Sequence, residues 1–334
     1  MRALVYTGTR KVVYREEKDP KKNSGESIIK VDAAGICGSD MHAYHGLDER
    51  RIPPLILGHE ISGKVLDGNL KNKKVVVNPL ISCSNCDYCK RNREHLCPNR
   101  TFIGMSTPTQ REGGLAEMVS VPEKNIYEIS DKINIKEAAL AEPTAVALHA
   151  VLLAEQNLKK PLSDCKVLIQ GAGAIGLLAA LLLKSEGVKM TVLETNEARH
   201  QCVKEHVGVI PVNPINQSVS EDSYDVVIDC VGSEKTNALS IASVSAGGTV
   251  VNVGLLSWSS SIDIRKITLQ EIKLIGCYTY NMKDFRSALD SIEKGAFGDL
   301  SWVEEMPLSE TNLAFQSLHN GKIASAKVIL KPSF

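Results

Sequence analysis

Lys166-Val167-Leu168-Ile169-Gln170-Gly171-Ala172-Gly173-Ala174-Ile175-Gly176 reads as a short apolar strand running into a Gly-x-Gly-x-x-Gly turn, with a helix opening at its end. In such a turn the first glycine permits the bend, the second lets a pyrophosphate approach the backbone, and the third lets helix and strand pack closely. The motif alone is weak. Its setting is specific: a strand before, a helix after, and Glu194 closing the next strand about 18 residues beyond Gly176. A carboxylate there accepts hydrogen bonds from both hydroxyls of an adenosine ribose and repels a 2′-phosphate, so NAD is expected over NADP. Arg199, five residues further on, stacks on adenine, neutralises Glu194, or is simply an exposed helix arginine.

Outward from this turn the texture is that of alternating helices and short buried strands. Helices are predicted over 141–158, 175–184 and 197–206, and strands over 167–170, 191–194, 226–229 and 249–253. That alternation implies a parallel sheet with crossover helices over 141–275. Residues 1–140 differ: short β-rich runs at 27–31, 61–66, 75–77 and 118–121 are separated by Gly, Pro and Asn turns. Residues 276–334 carry helices near 283–294 and 310–318 and a closing strand at 326–330, which can return to the first domain.

The 334 residues are 43% hydrophobic and 23% charged, with 39 basic and 39 acidic side chains, enough for two cores and no net charge. Neither a nucleic-acid partner nor a membrane surface is expected of so balanced a chain. The longest apolar run, Leu177 to Leu183, falls far short of the roughly 20 residues of a membrane span. The opening Met1-Arg2-Ala3-Leu4-Val5-Tyr6 soon meets charged residues and leaves no room for a signal peptide, so a cytoplasmic protein is expected.

Four of the nine cysteines, Cys83, Cys86, Cys89 and Cys97, crowd into one polar loop with two, two and seven residues between them. Four thiolates so spaced can close a tetrahedral zinc site with no open position. An iron–sulfur cluster and four unrelated buried thiols are the alternatives. A second constellation lies upstream, in Gly35-Ile36-Cys37-Gly38-Ser39-Asp40-Met41-His42 and Leu57-Gly58-His59-Glu60. Cys37, His59 and Glu60 form a mixed set of the kind that holds a catalytic zinc with one position free, although each alone is a common core or polar residue.

Together with Gly113-Gly114-Leu115-Ala116-Glu117, Glu142-Pro143 and Gly247-Gly248 leading to Val253-Gly254, these motifs make the whole chain resemble the zinc-containing medium-chain alcohol dehydrogenases, in their polyol, sorbitol and threonine dehydrogenase-like branch. The resemblance implies an α/β protein: a GroES-like, β-rich catalytic domain (1–140 and 276–334) interrupted by a Rossmann doubly wound domain (141–275). It implies two zinc ions per chain and NAD. Cys37 and His59 are then ligands of the catalytic zinc, Glu60 a nearby ligand, and Glu142 a ligand or a holder of the metal through water. Ser39 and His42 match the family's proton relay, in which the serine hydroxyl passes the alcohol's proton by way of the nicotinamide ribose to the histidine. Ile175, Val231 and Val253 are implied as an apolar wall for the nicotinamide, and Tyr280 as part of the substrate pocket. Ala43 and Thr279 stand where sorbitol dehydrogenases carry an aromatic residue and an arginine, which argues against sorbitol itself.

The function so implied is hydride transfer from a secondary alcohol of a small polyol or sugar alcohol to NAD. A threonine, hydroxy-acid or sugar-alcohol-phosphate dehydrogenase is the alternative. For an acid or phosphate, Arg50 and Arg51 ahead of Pro53-Pro54 are either anion receivers or a solvated charged turn. An NAD-binding redox regulator with structural zinc only is the reading from another class. The resemblance also implies a homodimer or homotetramer, with residues 250–264 as interface candidates.

Overall fold

The computed structural model describes residues 1–332. Five strands form a parallel sheet in the order Lys189–Leu193, Lys166–Gln170, Tyr224–Asp229, Val244–Asn252, Lys273–Gly276. The strand that comes first in sequence, Lys166–Gln170, lies between the second and third, so the winding reverses at its carboxyl end. A crevice opens at such a reversal, and Gly171 stands in it.

The continuous apolar run of that first strand follows from burial on both faces. Val167 and Ile169 enter the larger core with helices Ala141–Glu155 and Ala174–Ser185, while Leu168 enters a second core with Ile241 of helix Glu234–Ser243. Leu177 to Leu183 are all buried, because their helix is enclosed by the sheet and by helix Ala141–Glu155. Among the described residues no helix is long and apolar enough to cross a membrane.

The remaining chain builds an antiparallel-rich sheet around the eleven-residue strand Glu26–Ile36, which pairs with Glu60–Val65, Met118–Pro122 and Lys327–Lys331. The C-terminal strand therefore closes onto the N-terminal sheet, with Val328 opposite Ile36, and Val303–Pro307 extends it in parallel. A buried pair, His149 Nδ1 to Asp284 Oδ2 at 2.7 Å, ties helix Ala141–Glu155 to helix Met282–Glu293.

Three features depart from the sequence reading. The seven-residue helix Gly38–Tyr44 was not expected, since it is too short to show periodicity. Val250 and Val251 cannot form an interface, because they lie buried inside the sheet. Lys273–Gly276 is one of the sheet's two edge strands, with Leu274 exposed, and Leu255, Leu256 and Trp258 are exposed in the loop after Val244–Asn252. Arg51 is no solvated turn residue, for its side chain has no exposed surface.

Candidate active site

Strand pairing brings the distant metal-ligand candidates together. Gly35 pairs with Glu60, so Cys37, two residues beyond the one, and His59, just before the other, meet at the same end of the sheet. The Sγ of Cys37, a ring nitrogen of His59 and a carboxylate oxygen of Glu60 all lie within 4.8 Å of one another. Gly35 is required here by space: a Cβ on it would fall 1.8 Å from Glu60 Oε2. Sulfur, imidazole and carboxylate so grouped suit a zinc ion, and buried His59 Nδ1 has no hydrogen-bond partner, its nearest acid being Asp40 Oδ1 at 3.6 Å.

Glu60 is not free. Its carboxylate is ion-paired with Lys327, a fully buried lysine whose Nζ also donates to the Ile36 carbonyl at 2.9 Å. Sequence reasoning missed Lys327, which lies 267 residues away and carries no local signal. Glu142, in the first turn of helix Ala141–Glu155, stands outside the close trio. Burial pushes its carboxyl up to about 7, with His59 and Lys327 opposing and Glu60 reinforcing the rise. Tyr280 corrects the expectation of a pocket-lining residue. It has no exposed surface, and its hydroxyl sits beside Glu142 and donates to Asn78 Oδ1 at 3.3 Å.

Cys37 caps helix Gly38–Tyr44, and its N–H donates to Asp40 Oδ2 at 3.0 Å. Ser39 and His42, three apart on that helix, share a face beside the trio. Burial holds the His42 imidazole below its ordinary pKa, with Asp48 opposing and Arg51 and Arg50 reinforcing the drop, so it is neutral near pH 7. Arg51 reaches in from the loop that follows. It donates from Nη2 to Ser39 Oγ at 3.1 Å and from Nε to the Gly104 carbonyl at 3.1 Å, and it pairs with Asp48. Its donors are thus taken up inside the protein, which removes it as an anion receiver.

The four cysteines form one cage. Sulfur separations of 3.9 Å (Cys83 to Cys89), 3.5 Å (Cys86 to Cys89) and 3.4 Å (Cys97 to Cys83) bracket the ~3.8 Å edge of a tetrahedron with Zn–S bonds of about 2.3 Å. A cage this tight fits one ion rather than a multi-iron cluster. Backbone N–H groups of Asn85 and Cys86 directed at Cys83 lower its thiol to about 6, whereas burial pushes Cys89 up to about 12.

At the crevice, Gly171 adopts φ +87°, a left-handed conformation, and a Cβ on Gly176 would fall 1.8 Å from the Gly171 carbonyl oxygen. Gly173 has nothing closer than Arg199 Nη1 at 4.0 Å, so its face is open to a ligand. Ala174 and Ile175 begin the helix, whose first N–H groups point into the same space. Glu194 follows the second strand. Its Oε2 accepts from Ala172 N at 2.9 Å and its Oε1 from Asn196 N at 2.7 Å, and Arg199 Nη1 lies 3.8 Å away. Ile175 and Val253 are half-buried against the larger core, and Val231 and Val253 lie just past the ends of their strands, with Val231 next to Gly171.

The known proteins this chain resembles belong to one family. Residues 23–131 match the alcohol dehydrogenase GroES-like domain and residues 174–294 the zinc-binding dehydrogenase family. A 2-dehydro-3-deoxy-L-galactonate 5-dehydrogenase of Pseudoalteromonas atlantica is 31% identical, over 95% of each chain. A D-arabitol-phosphate dehydrogenase of Enterococcus avium is 30% identical, over 90% of this chain and 89% of its own. Among solved structures, a zinc-binding dehydrogenase of Sinorhizobium meliloti bound to NADP superposes with a TM-score of 0.86 at 28% identity, over 99% of both chains.

Proposed function

The chain belongs to the zinc-containing medium-chain alcohol dehydrogenases, and on that footing we propose that it oxidises a secondary hydroxyl of a small polyhydroxylated substrate with NAD, holding its catalytic zinc on Cys37, His59 and Glu60. The observation that carries this reading is the convergence of those three side chains beside Ser39 and His42, on the helix that Cys37 opens. The relatives act by name on a deoxygalactonate and an arabitol phosphate, which supports a polyhydroxylated substrate. A zinc ion on that trio supplies a Lewis acid that polarises the hydroxyl, and NAD supplies the hydride acceptor.

The chain's own residues manage the proton and the geometry. Ser39 Oγ, with Arg51 donating to it, keeps its own hydrogen free to move; it takes the substrate's proton as it releases that hydrogen toward His42. His42 is neutral and half-buried, fit to act as the terminal base. Lys327 fixes the Glu60 carboxylate, and Glu142, with Tyr280 beside it, would ligate a zinc on the trio or hold it through water. Glu194, fastened by two backbone N–H groups, presents its charge to the adenosine ribose and favours NAD over NADP. The four sulfurs would hold the structural zinc, and the turn from Gly171 to Gly176 would cradle the pyrophosphate.

This reading divides the chain into a catalytic unit, 1–140 and 276–334, around a nucleotide unit, 141–275. It pairs copies through the edge strand Lys273–Gly276 as a dimer or tetramer, and places the enzyme in the cytoplasm, where its nine cysteines, none in a disulfide, stay reduced. Zinc-loaded protein should form NADH when given NAD and a polyol, sugar acid or sugar-alcohol phosphate. A protein that binds NAD and one zinc yet forms no NADH with any secondary alcohol is instead the NAD-binding regulator.

A further inference from the structure

Three buried oxygen atoms without a hydrogen-bond donor meet on one rung of the parallel sheet. Gln170 is the register partner of Asp229, and Asp229 that of Asn252. Each lies two residues beyond a side chain of the second core, Leu168, Val227 and Val250, so all three share the face covered by helix Glu234–Ser243. Neighbouring strands are about 4.8 Å apart, which sets Asp229 between the two amides within side-chain reach. Gln170 Nε2 donates to Ser240 Oγ at 2.6 Å and to the Thr236 carbonyl at 2.9 Å, and Asn252 Nδ2 donates to the Gly254 carbonyl at 3.4 Å. Both amides thus direct their N–H groups elsewhere, and Gln170 Oε1, Asn252 Oδ1 and Asp229 Oδ2 are left with no donor.

Asp229 has no exposed surface and pairs with no cationic side chain among the described residues. Its other oxygen, Oδ1, accepts from the N–H groups of Val231 and Gly232, both at 2.9 Å, and its backbone carbonyl accepts from Val253 at 2.9 Å and Gly254 at 3.0 Å. One residue therefore fastens both turns that follow the central strands. These turns are pressed together: a Cβ on Gly232 would fall 2.0 Å from the Gly254 carbonyl oxygen, and one on Gly171 would fall 2.6 Å from Val231 Cγ2. The floor of the dinucleotide crevice hangs on a carboxylate whose charge nothing in the chain balances. A buried charge is held by a partner charge or by a metal ion. Carboxylate and carbonyl oxygens select a hard cation, and the single negative charge on this rung is balanced by a monovalent one. A cavity of about 270 Å³, lined by Asn252, Ser240, Asn237 and Gly276, gives such an ion a way in.

We propose that Gln170 Oε1, Asp229 Oδ2 and Asn252 Oδ1 bind an alkali cation, sodium or potassium, which braces the Val231–Gly232 and Val253–Gly254 turns beside Gly171. The site is separate from both groups of zinc ligands, and it stands whether or not the chain oxidises an alcohol.

Zinc-loaded protein melted in sodium, potassium and tetramethylammonium chloride at equal ionic strength tests this, since only the alkali ions are small enough to enter. The melting temperature should be higher by about 2 °C or more in one alkali salt than in the tetramethylammonium salt, and the larger shift identifies the ion. Calorimetric titration with NAD, with no alcohol present, should show binding tighter by about threefold or more in that salt. Asp229→Asn keeps an oxygen for the Val231 and Gly232 N–H groups and places an amide N–H where Oδ2 stood, so it should fold and lose both cation effects. Asn252→Ala removes one ligand oxygen and no charge, and should raise the alkali concentration for half the melting shift by about tenfold, which keeps the test open if Asp229→Asn does not fold. Equal melting in all three salts overturns the proposal and leaves the rung to an ordered water or a protonated carboxyl. A shift that persists in Asp229→Asn overturns it as well, because the ion then binds elsewhere. Cation-dependent melting with NAD affinity alike in every salt keeps the ion and refutes its bracing of the crevice.

Discussion

Arg51 Nη2 lies 3.1 Å from Ser39 Oγ, and the guanidinium that makes this contact is wholly buried. A planar group with several fixed donors can reach Ser39, the Gly104 carbonyl and Asp48 at once, which a lysine cannot. Arg51→Lys should therefore fold, keep its zinc, and lose kcat by tenfold or more with little change in KM for NAD. Arg51→Met should lose on the order of 3–5 kcal/mol of stability, because Asp48 loses one of its buried partners. Wild-type kcat in Arg51→Lys would show the Ser39 contact to be structural only.

The two metal sites should separate by mutation. Cys37→Ser should abolish NADH formation and remove about one zinc per chain from a folded protein, since the trio loses its only thiolate. Cys89→Ser opens a cage whose sulfurs lie 3.5 Å and 3.9 Å from it, and should lower the melting temperature first. Elemental analysis finding fewer than two zinc ions in active wild-type protein would refute the two-site assignment.

Glu194→Ala should weaken NAD use and relax discrimination against NADP, since the ribose acceptor and the repulsion of a 2′-phosphate vanish together. Hydrogen bonds to charged groups are worth about 1.5–3 kcal/mol, so kcat/KM with NAD should fall by about one to two orders of magnitude. Loss of the two backbone contacts, to Ala172 and Asn196, should also loosen the glycine turn. A wild type more efficient with NADP than with NAD would overturn the assignment.

His42→Ala should keep both zinc ions and normal NAD affinity, yet lose oxidation rate by about 10²-fold. The loss should be greatest below about pH 8, where the alcohol's proton is hardest to expel, and an imidazole buffer should restore part of it. If zinc is lost instead, His42 is a ligand; if activity persists at all pH values, the proton leaves by another route.

Glu26 gives a pH test far from the metal. Burial alone would raise its carboxyl, but hydrogen bonds from Arg111, Ser120 and Asn23 outweigh that and hold it below the ordinary value. A carboxylate with a lowered folded pKa stabilises the fold above its unfolded pKa and loses that contribution as pH falls through the folded one. Glu26→Gln should thus melt lower than wild type near pH 7, and the gap should close below about pH 4. A gap that stays constant with pH would mean the carboxylate's charge contributes nothing.

The amino-acid sequence determined the parts whose signals are local. The apolar strand, the glycine turn and its helix follow from a few adjacent residues, and the four-cysteine cage from spacing within one loop. Cys37, His59 and Glu60, which the structure groups, are carried by two short motifs, whereas the relay roles of Ser39 and His42 rest on the family resemblance. Tertiary structure alone decided how those parts are completed. Glu60 meets Lys327 because the C-terminal strand closes beside Glu26–Ile36, and Ser39 meets Arg51 because the intervening loop folds inward. Tyr280, expected in the substrate pocket, is fully buried beside Glu142, and Glu142 stands outside the trio. Such pairings have no period and no spacing rule. They arise from strand register across most of the chain and from the need to satisfy every buried charge, and both exist only once the two cores have closed.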